Sequence, residues 1–160
     1  MTIFHSTSDL RSDEIFLKCY KTTDADPKKF WAPAYYFKIC LTQDGTEVGE
    51  INLRIGNTEK LFFGGNIGYN VDEDYRGNRY AAKACRLLYP LAVKHGMEYM
   101  YISCNPDNHA SFRTLEIAGG KFVATVNLPE DNEMYIQRGV KQKCIFYFDL
   151  KEGERNELAQ

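Results

Sequence analysis

Hydrophobic and polar positions alternate most cleanly in the first third of the chain. Between Glu47 and Ile55, the residues Ile51, Leu53 and Ile55 take turns with Glu50, Asn52 and Arg54. That two-residue period predicts a strand with one buried face and one polar face. Asp44-Gly45 just before it is a hairpin signal, so Ala34–Leu41, rich in aromatic and β-branched residues, becomes its partner. Glu14–Tyr20 reads as a first strand, joined to the second by a short polar connection over Thr22–Pro33. Leu61–Val71 reads as one long strand carrying Gly64, Gly65 and Gly68, which inside a strand mark a bulge or a close backbone approach.

The period then changes. Ala81, Ala84, Cys85, Leu88, Leu91 and Ala92 fall on one stripe at helical spacing and predict a helix over Asn78–His95. Pro90 deprives the Arg86 carbonyl of its partner and predicts a kink there, while Lys94, His95 and Gly96 supply a stop. Tyr99–Cys104 is a short buried strand, and Asn105–Asn108 opens a second helix ending at Gly119-Gly120. Phe122–Val126 and Lys143–Leu150 are two final strands, linked by a polar loop holding Met134, Tyr135 and Arg138. The charged tail from Glu152 is expected to fray. A meander followed by strand, helix, strand, helix and hairpin predicts a mixed α/β sheet, in one domain over residues 1–160.

Composition narrows the function classes. The net charge is −2 and no run of Lys or Arg occurs, so nucleic acid is not an expected partner. No stretch reaches the length of a membrane span, and the polar start from Met1 to Arg11 is unlike a signal peptide, so a cytoplasmic location is expected. Five cysteines, an odd number without CxxC spacing, lie mostly in apolar runs. Neither a metal site nor a disulfide framework is expected from them.

The chemistry concentrates in Val71-Asp72-Glu73-Asp74-Tyr75-Arg76-Gly77-Asn78-Arg79-Tyr80-Ala81, between a strand and the long helix. A basic, glycine-bearing turn that opens a helix presents backbone N–H groups and the positive end of the helix dipole to an anion. Gly77 reaches positive φ at no steric cost and carries no Cβ to block a phosphate. Further on, Asn108-His109-Ala110-Ser111 opens the second helix. Taken together, the two segments resemble the GCN5-related N-acetyltransferase (GNAT) family over about residues 47–150. Arg76 and Ala81 match the ends of that family's turn, and Asn108 and Ser111 match its second signature. Arg79 stands where the family usually has glycine, and Gly120 where it usually has Phe.

The resemblance implies a mostly antiparallel, twisted α+β sheet whose central parallel strands splay apart, flanked by helices. Acetyl-coenzyme A is the implied cosubstrate, with no metal. Asn70, Val71, Arg76, Gly77, Asn78, Arg79, Tyr80, Ala81, Asn108 and Ser111 are the expected contacts to it, the backbone near Asn70 and Val71 also meeting a developing oxyanion. Two side chains often catalytic in such enzymes are replaced here, a Glu by Asn66 and a Tyr by Leu115. Glu50 is the candidate base in their stead, ahead of Asp72 and Glu73, and Tyr135 the candidate acid. The segment between the first two strands is too short for the family's two helices. An open acceptor groove lined by Trp31, Tyr35 and Tyr36 is therefore expected. The implied activity is acetyl transfer to a primary amine, small or on a peptide, and a homodimer is allowed. A coenzyme A-binding sensor of the same fold without transfer activity is the alternative.

Overall fold

The meander forms where the alternation is strongest. The computed structural model describes residues 2–151, so the charged tail lies outside the described residues. Strands β1 (Ile15–Thr23), β2 (Ala34–Leu41), β3 (Glu47–Arg54) and β4 (Ile67–Val71) make an antiparallel sheet in the order β1-β2-β3-β4. Strands β5 (Tyr99–Cys104), β6 (Lys121–Asn127) and β7 (Gln142–Asp149) make a second, in the order β5-β7-β6. Against one face of the first sheet lies helix α2 (Tyr80–Lys94), whose buried stripe of Ala84, Cys85, Leu88, Leu91 and Ala92 shares one core with Phe37, Ile39, Ile51 and Leu53. Each such side chain, taken out of water, contributes about 1.5–3 kcal/mol for the larger aliphatic and aromatic groups. The strand–helix–strand connection from β4 through α2 to β5 sets the two strands in the same sense. Among the described residues, no helix is long and apolar enough to cross a membrane.

Three elements differ from the sequence expectation. The first half of the long Leu61–Val71 strand is instead helix α1 (Glu59–Gly64), capped by the Thr58 hydroxyl accepting from the Leu61 N–H at 3.4 Å. Leu61-Phe62-Phe63 is an apolar run too short for periodicity to choose between helix and strand, and the cap decides it. The polar loop before the last strand contains helix α4 (Glu133–Arg138), capped by Asn132 and stopped by Gly139 at φ 66°. Helix α2 starts at Tyr80, two residues later than expected, and runs to Lys94 with Pro90 inside it. Helix α3 (His109–Ile117) follows β5 as expected.

Candidate functional site

The two sheets meet at one residue. Asn66 is 1% exposed, and its backbone N–H donates to the Tyr101 carbonyl at 2.6 Å while its Oδ1 accepts from the Tyr101 N–H at 3.0 Å. Its Nδ2 donates to the carbonyls of Arg54 and Gly56, both at 2.9 Å. One amide side chain thus clasps β3, β4 and β5 together. Gly65 beside it has φ 82°, and a Cβ there would lie 3.0 Å from the Ser103 backbone N, so only glycine allows this approach. Beyond the clasp, β4 pairs with β3 and β5 with β7, and among the described residues no ladder joins β4 to β5.

The gap that opens has a defined edge. Arg54 N–H donates to the Asn66 carbonyl and Asp72 N–H to the Val48 carbonyl, which fixes the phase of the β3–β4 ladder. In an antiparallel pair the bonded positions alternate, so the amides of Tyr69 and Val71 turn away from β3 toward the gap. Arg76 Nε occupies the Val71 carbonyl at 2.9 Å. The Val71 N–H faces the opening.

A cavity of about 960 Å³ runs through this gap, lined from both faces of the sheet. On the α2 side its wall holds Tyr69, Val71, Tyr75, Arg76, Gly77, Arg79, Tyr80, Ala81, Asn105, Asn108 and Ser111. On the opposite side it holds Lys21, Trp31, Tyr36, Arg54, Lys60, Glu133, Met134, Gln137, Arg138 and Lys143. Asn105 Oδ1 is buried without a hydrogen-bond partner, an acceptor in the wall for an amide N–H of a ligand.

The turn on the α2 side has an unusual centre. A short 3₁₀ turn over Glu73–Tyr75 leads to Arg76, then to Gly77 at φ 91°, where a Cβ would meet nothing within 4 Å. Arg79, at φ 63° and ψ 24°, is the left-handed N-cap of α2 and makes no side-chain capping bond. The family's glycine position is thus a left-handed position, here held by a residue for which that conformation costs roughly 1–2 kcal/mol. The first amides of α2, from Tyr80 onward, open beside it without intrahelical partners. Across the gap the Asn108 side chain caps α3 by accepting from the Ser111 N–H at 3.0 Å, and the Ser111 hydroxyl meets the Tyr69 hydroxyl at 2.5 Å. Burial pushes the Tyr69 phenol well above its ordinary value, so it stays protonated, a hydrogen-bond donor.

The structure gathers Asn70, Val71, Arg76, Gly77, Arg79, Tyr80, Ala81, Asn108 and Ser111 on the cavity wall, and Trp31 and Tyr36 at its other end. Other expected residues lie outside that lining. Asn78 is turned into the loop, its Nδ2 donating to the Tyr75 carbonyl at 3.1 Å. Tyr35 corrects the expectation of an acceptor contact: it is 0% exposed, stacked on Phe37, with its hydroxyl held by the His5 N–H and His95 Nε2. Strand alternation sends Tyr36 to the cavity and Tyr35 to the core. Glu50 lies on the polar face but is ion-paired with Lys38. Tyr135 sits on α4 away from the cavity, which takes Glu133, Met134, Gln137 and Arg138.

Sequence reasoning missed the basic residues of the far side and the Tyr69–Ser111 pair. Arg54 donates to the Gly64 and Gly65 carbonyls at 3.4 and 2.9 Å, and burial lowers the hold of its guanidinium on its proton. Burial first, then Arg138 and Arg54, also pushes the Lys143 ammonium down. Its neighbour in the wall, Cys104, is pushed up to about 11 by burial, a thiol rather than a thiolate. The alternation of Arg54 with Ile51 and Leu53 did signal its side of the sheet. For Arg138 on α4 and Lys143 on β7, far from Arg54 in sequence, no local signal existed.

The family model of the acetyltransferase (GNAT) domain matches residues 5–121. Among solved structures, a probable GNAT-family acetyltransferase from Chromobacterium violaceum is 15% identical with a TM-score of 0.68, over 94% of this chain and 90% of that one. The ribosomal-protein α-N-acetyltransferase RimL, solved in complex with coenzyme A, is 14% identical with a TM-score of 0.62, over 86% of this chain and 95% of that one. A GNAT-family acetyltransferase from Bacillus anthracis is 19% identical with a TM-score of 0.55, over 72% of this chain and 66% of that one. At these identities the likeness is one of fold, and the chain spans just under two thirds of the Bacillus anthracis enzyme. No curated protein matches the chain significantly.

Proposed function

Because the chain belongs to the GNAT acetyltransferase domain family, we propose that it moves the acetyl group of acetyl-coenzyme A directly onto a primary amine. The observation that carries this reading is the gap between β4 and β5, open to both faces of the sheet and edged by the Val71 N–H. The site fits the cosubstrate chemically. The turn from Arg76 to Ala81 offers cations and unpaired helix amides to a pyrophosphate. Asn105 Oδ1 and the free edge of β4 supply an acceptor and a donor for the amides of the coenzyme arm, as an added strand would use them.

Each chemical demand then finds a group in this chain. Val71 N–H is the donor for the carbonyl oxygen as charge develops on it. The Tyr69–Ser111 hydroxyl pair, rather than Tyr135, is the donor for the departing thiolate, which at a thiol pKa of ~8.5 needs only modest help. The amine must arrive without its proton. Arg54, Arg138 and Lys143 on the far wall disfavour a bound ammonium and lower its pKa, so no strong carboxylate base is required there.

Two measurements test this reading. Acetyl-coenzyme A at 100 times its Kd should stabilise the protein by ~2.7 kcal/mol in thermal denaturation. Thiol release in the presence of amines should follow. No thermal shift at millimolar ligand would end the coenzyme A reading, whereas a shift without thiol release on any acceptor would favour a sensor. One observation supports that second reading: Asn66, standing where relatives often carry a catalytic Glu, is wholly engaged as the clasp.

A further inference from the structure

We propose that the acceptor is the terminal α-amine of an acidic peptide, held on the far side of the gap by Lys21, Arg54, Arg138 and Lys143. This rests on the acetyl-transfer reading and narrows it. The far wall carries those four cations and Lys60, against one lining carboxylate, Glu133. Glu133 is taken by Lys60 at 3.5 Å, and Glu50, on the same sheet face, by Lys38. Among the described residues, no ion pair neutralises the remaining four. The whole chain is net negative, so this concentration of positive charge belongs to the cavity and not to the composition.

Three of the four cations are fixed by their surroundings, and Arg138 stands exposed on α4. Arg54 is anchored through one nitrogen to the Gly64 and Gly65 carbonyls, Lys21 lies 5.1 Å over the Tyr36 ring, and Lys143 is half-buried. A polyamine would place a second ammonium among them and be repelled, whereas carboxylates following a reactive amine would be paired. An α-amine, at an ordinary pKa of about 7.7–8.0, is already partly neutral near pH 7.5, unlike an alkylamine near 10. That suits a wall without an unpaired carboxylate. At the rim Phe30 and Trp31 are 78% and 52% exposed, an aromatic surface beside an open groove. Phe30 is moreover held at φ 57°, strained backbone at the mouth that would meet a peptide.

The test is a thiol-release assay at saturating acetyl-coenzyme A with five acceptors. They are a hexapeptide beginning Ser-Asp-Glu-Glu, its amide (Asn-Gln-Gln) and Lys counterparts, spermidine, and phosphoethanolamine. The acidic peptide should show kcat/KM about tenfold or more above the amide peptide, and further above the Lys peptide and spermidine, with the advantage shrinking as salt rises. K21E/R138E, two exposed positions, should remove or reverse the preference with acetyl-coenzyme A affinity by calorimetry held within ~2-fold. Equal or better rates with the Lys peptide or spermidine would overturn the proposal. So would phosphoethanolamine outrunning every peptide, or no transfer to any of the five while acetyl-coenzyme A still binds. Loss of acetyl-coenzyme A binding itself in the native protein would instead refute the reading beneath it.

Discussion

The two mouths of the cavity are built in different ways. The α2 side rests largely on backbone from one continuous segment, the free edge of β4, the turn at Gly77 and Arg79 and the first amides of α2, with Asn105, Asn108 and Ser111 completing its wall from the β5–α3 junction. The far side is almost all side chain: Lys21, Arg54, Arg138 and Lys143 come from four elements, β1, β3, α4 and β7, in three separate stretches of the sequence. A backbone site tolerates side-chain change and stays tied to its fold, whereas a side-chain site is rewritten by a few substitutions. The first therefore suits a ligand shared across a family, and the second an acceptor particular to one member. Among the described residues, the two non-glycine left-handed positions, Phe30 and Arg79, sit one at each mouth.

The largest expected effect comes from breaking what both mouths share. Asn66→Ala leaves the Arg54 and Gly56 carbonyls and the Tyr101 N–H without the partners that the side chain now supplies, in a buried place. Urea denaturation should show a loss of about 3 kcal/mol. A loss below about 1 kcal/mol would mean that the sheets are joined by packing alone. Next in size, Arg79→Gly should separate stability from binding. Release of the left-handed arginine should add about 1 kcal/mol to stability, while loss of a paired cation should weaken acetyl-coenzyme A severalfold. Phe30→Gly should give the same stabilisation at the other mouth without changing coenzyme affinity. If both variants alter coenzyme binding alike, the division into two mouths fails.

The asymmetry also explains how much was legible in the sequence. The turn, the long helix and the Asn108 cap each carry their signal within a few residues, because local backbone geometry demands particular residue types locally. Tyr35 was misplaced because neighbouring aromatics on a strand differ only in phase, and burial on the α2 face decides it. Helix α1 was hidden in an apolar run that suits either structure, although Thr58 was there to be read as a cap. The cations of the far wall had no shared local signal, since only the tertiary fold brings Arg54 near Lys143 and Arg138. Asn66 could be seen as a departure from the family, but its role as a clasp depends on Tyr101 and so on a second sheet.

A smaller effect lies at the opposite end of α2 from the turn. Tyr35 Oη and His95 Nε2 are 2.6 Å apart, and burial, with His5 edge-on alongside, holds the imidazole below its ordinary 6.5. The unfolded chain takes up the proton first as pH falls, so the folded state loses stability as pH drops below 6.5 toward the folded value. Scanning calorimetry should show a Tm contribution from this group that falls between pH 7 and pH 5 and is absent in His95→Gln. An unchanged pH slope in that variant would remove His95 as the cause. Acetyl-coenzyme A affinity should not follow this slope, because neither mouth contains the group.

The smallest expected effect is the one that decides how the amine loses its proton. Glu50 shares a sheet face with Arg54 but lies outside the cavity lining, and its carboxylate is engaged by Lys38 in a pair that is largely exposed. Such a pair contributes about 0–1 kcal/mol, so Glu50→Gln should leave stability nearly unchanged. A positioned general base supplies roughly 10²–10⁴-fold, and losing one would be obvious in kcat at neutral pH. If the far wall works by disfavouring the ammonium, Glu50→Gln should keep kcat/KM within ~2-fold, while Lys143→Met should shift the rising limb of the pH–rate profile upward. A hundredfold loss in Glu50→Gln would instead give the acceptor side a carboxylate base working across the sheet face. The far mouth would then depend on a charge outside its own wall, and its cations would serve only to hold the acceptor.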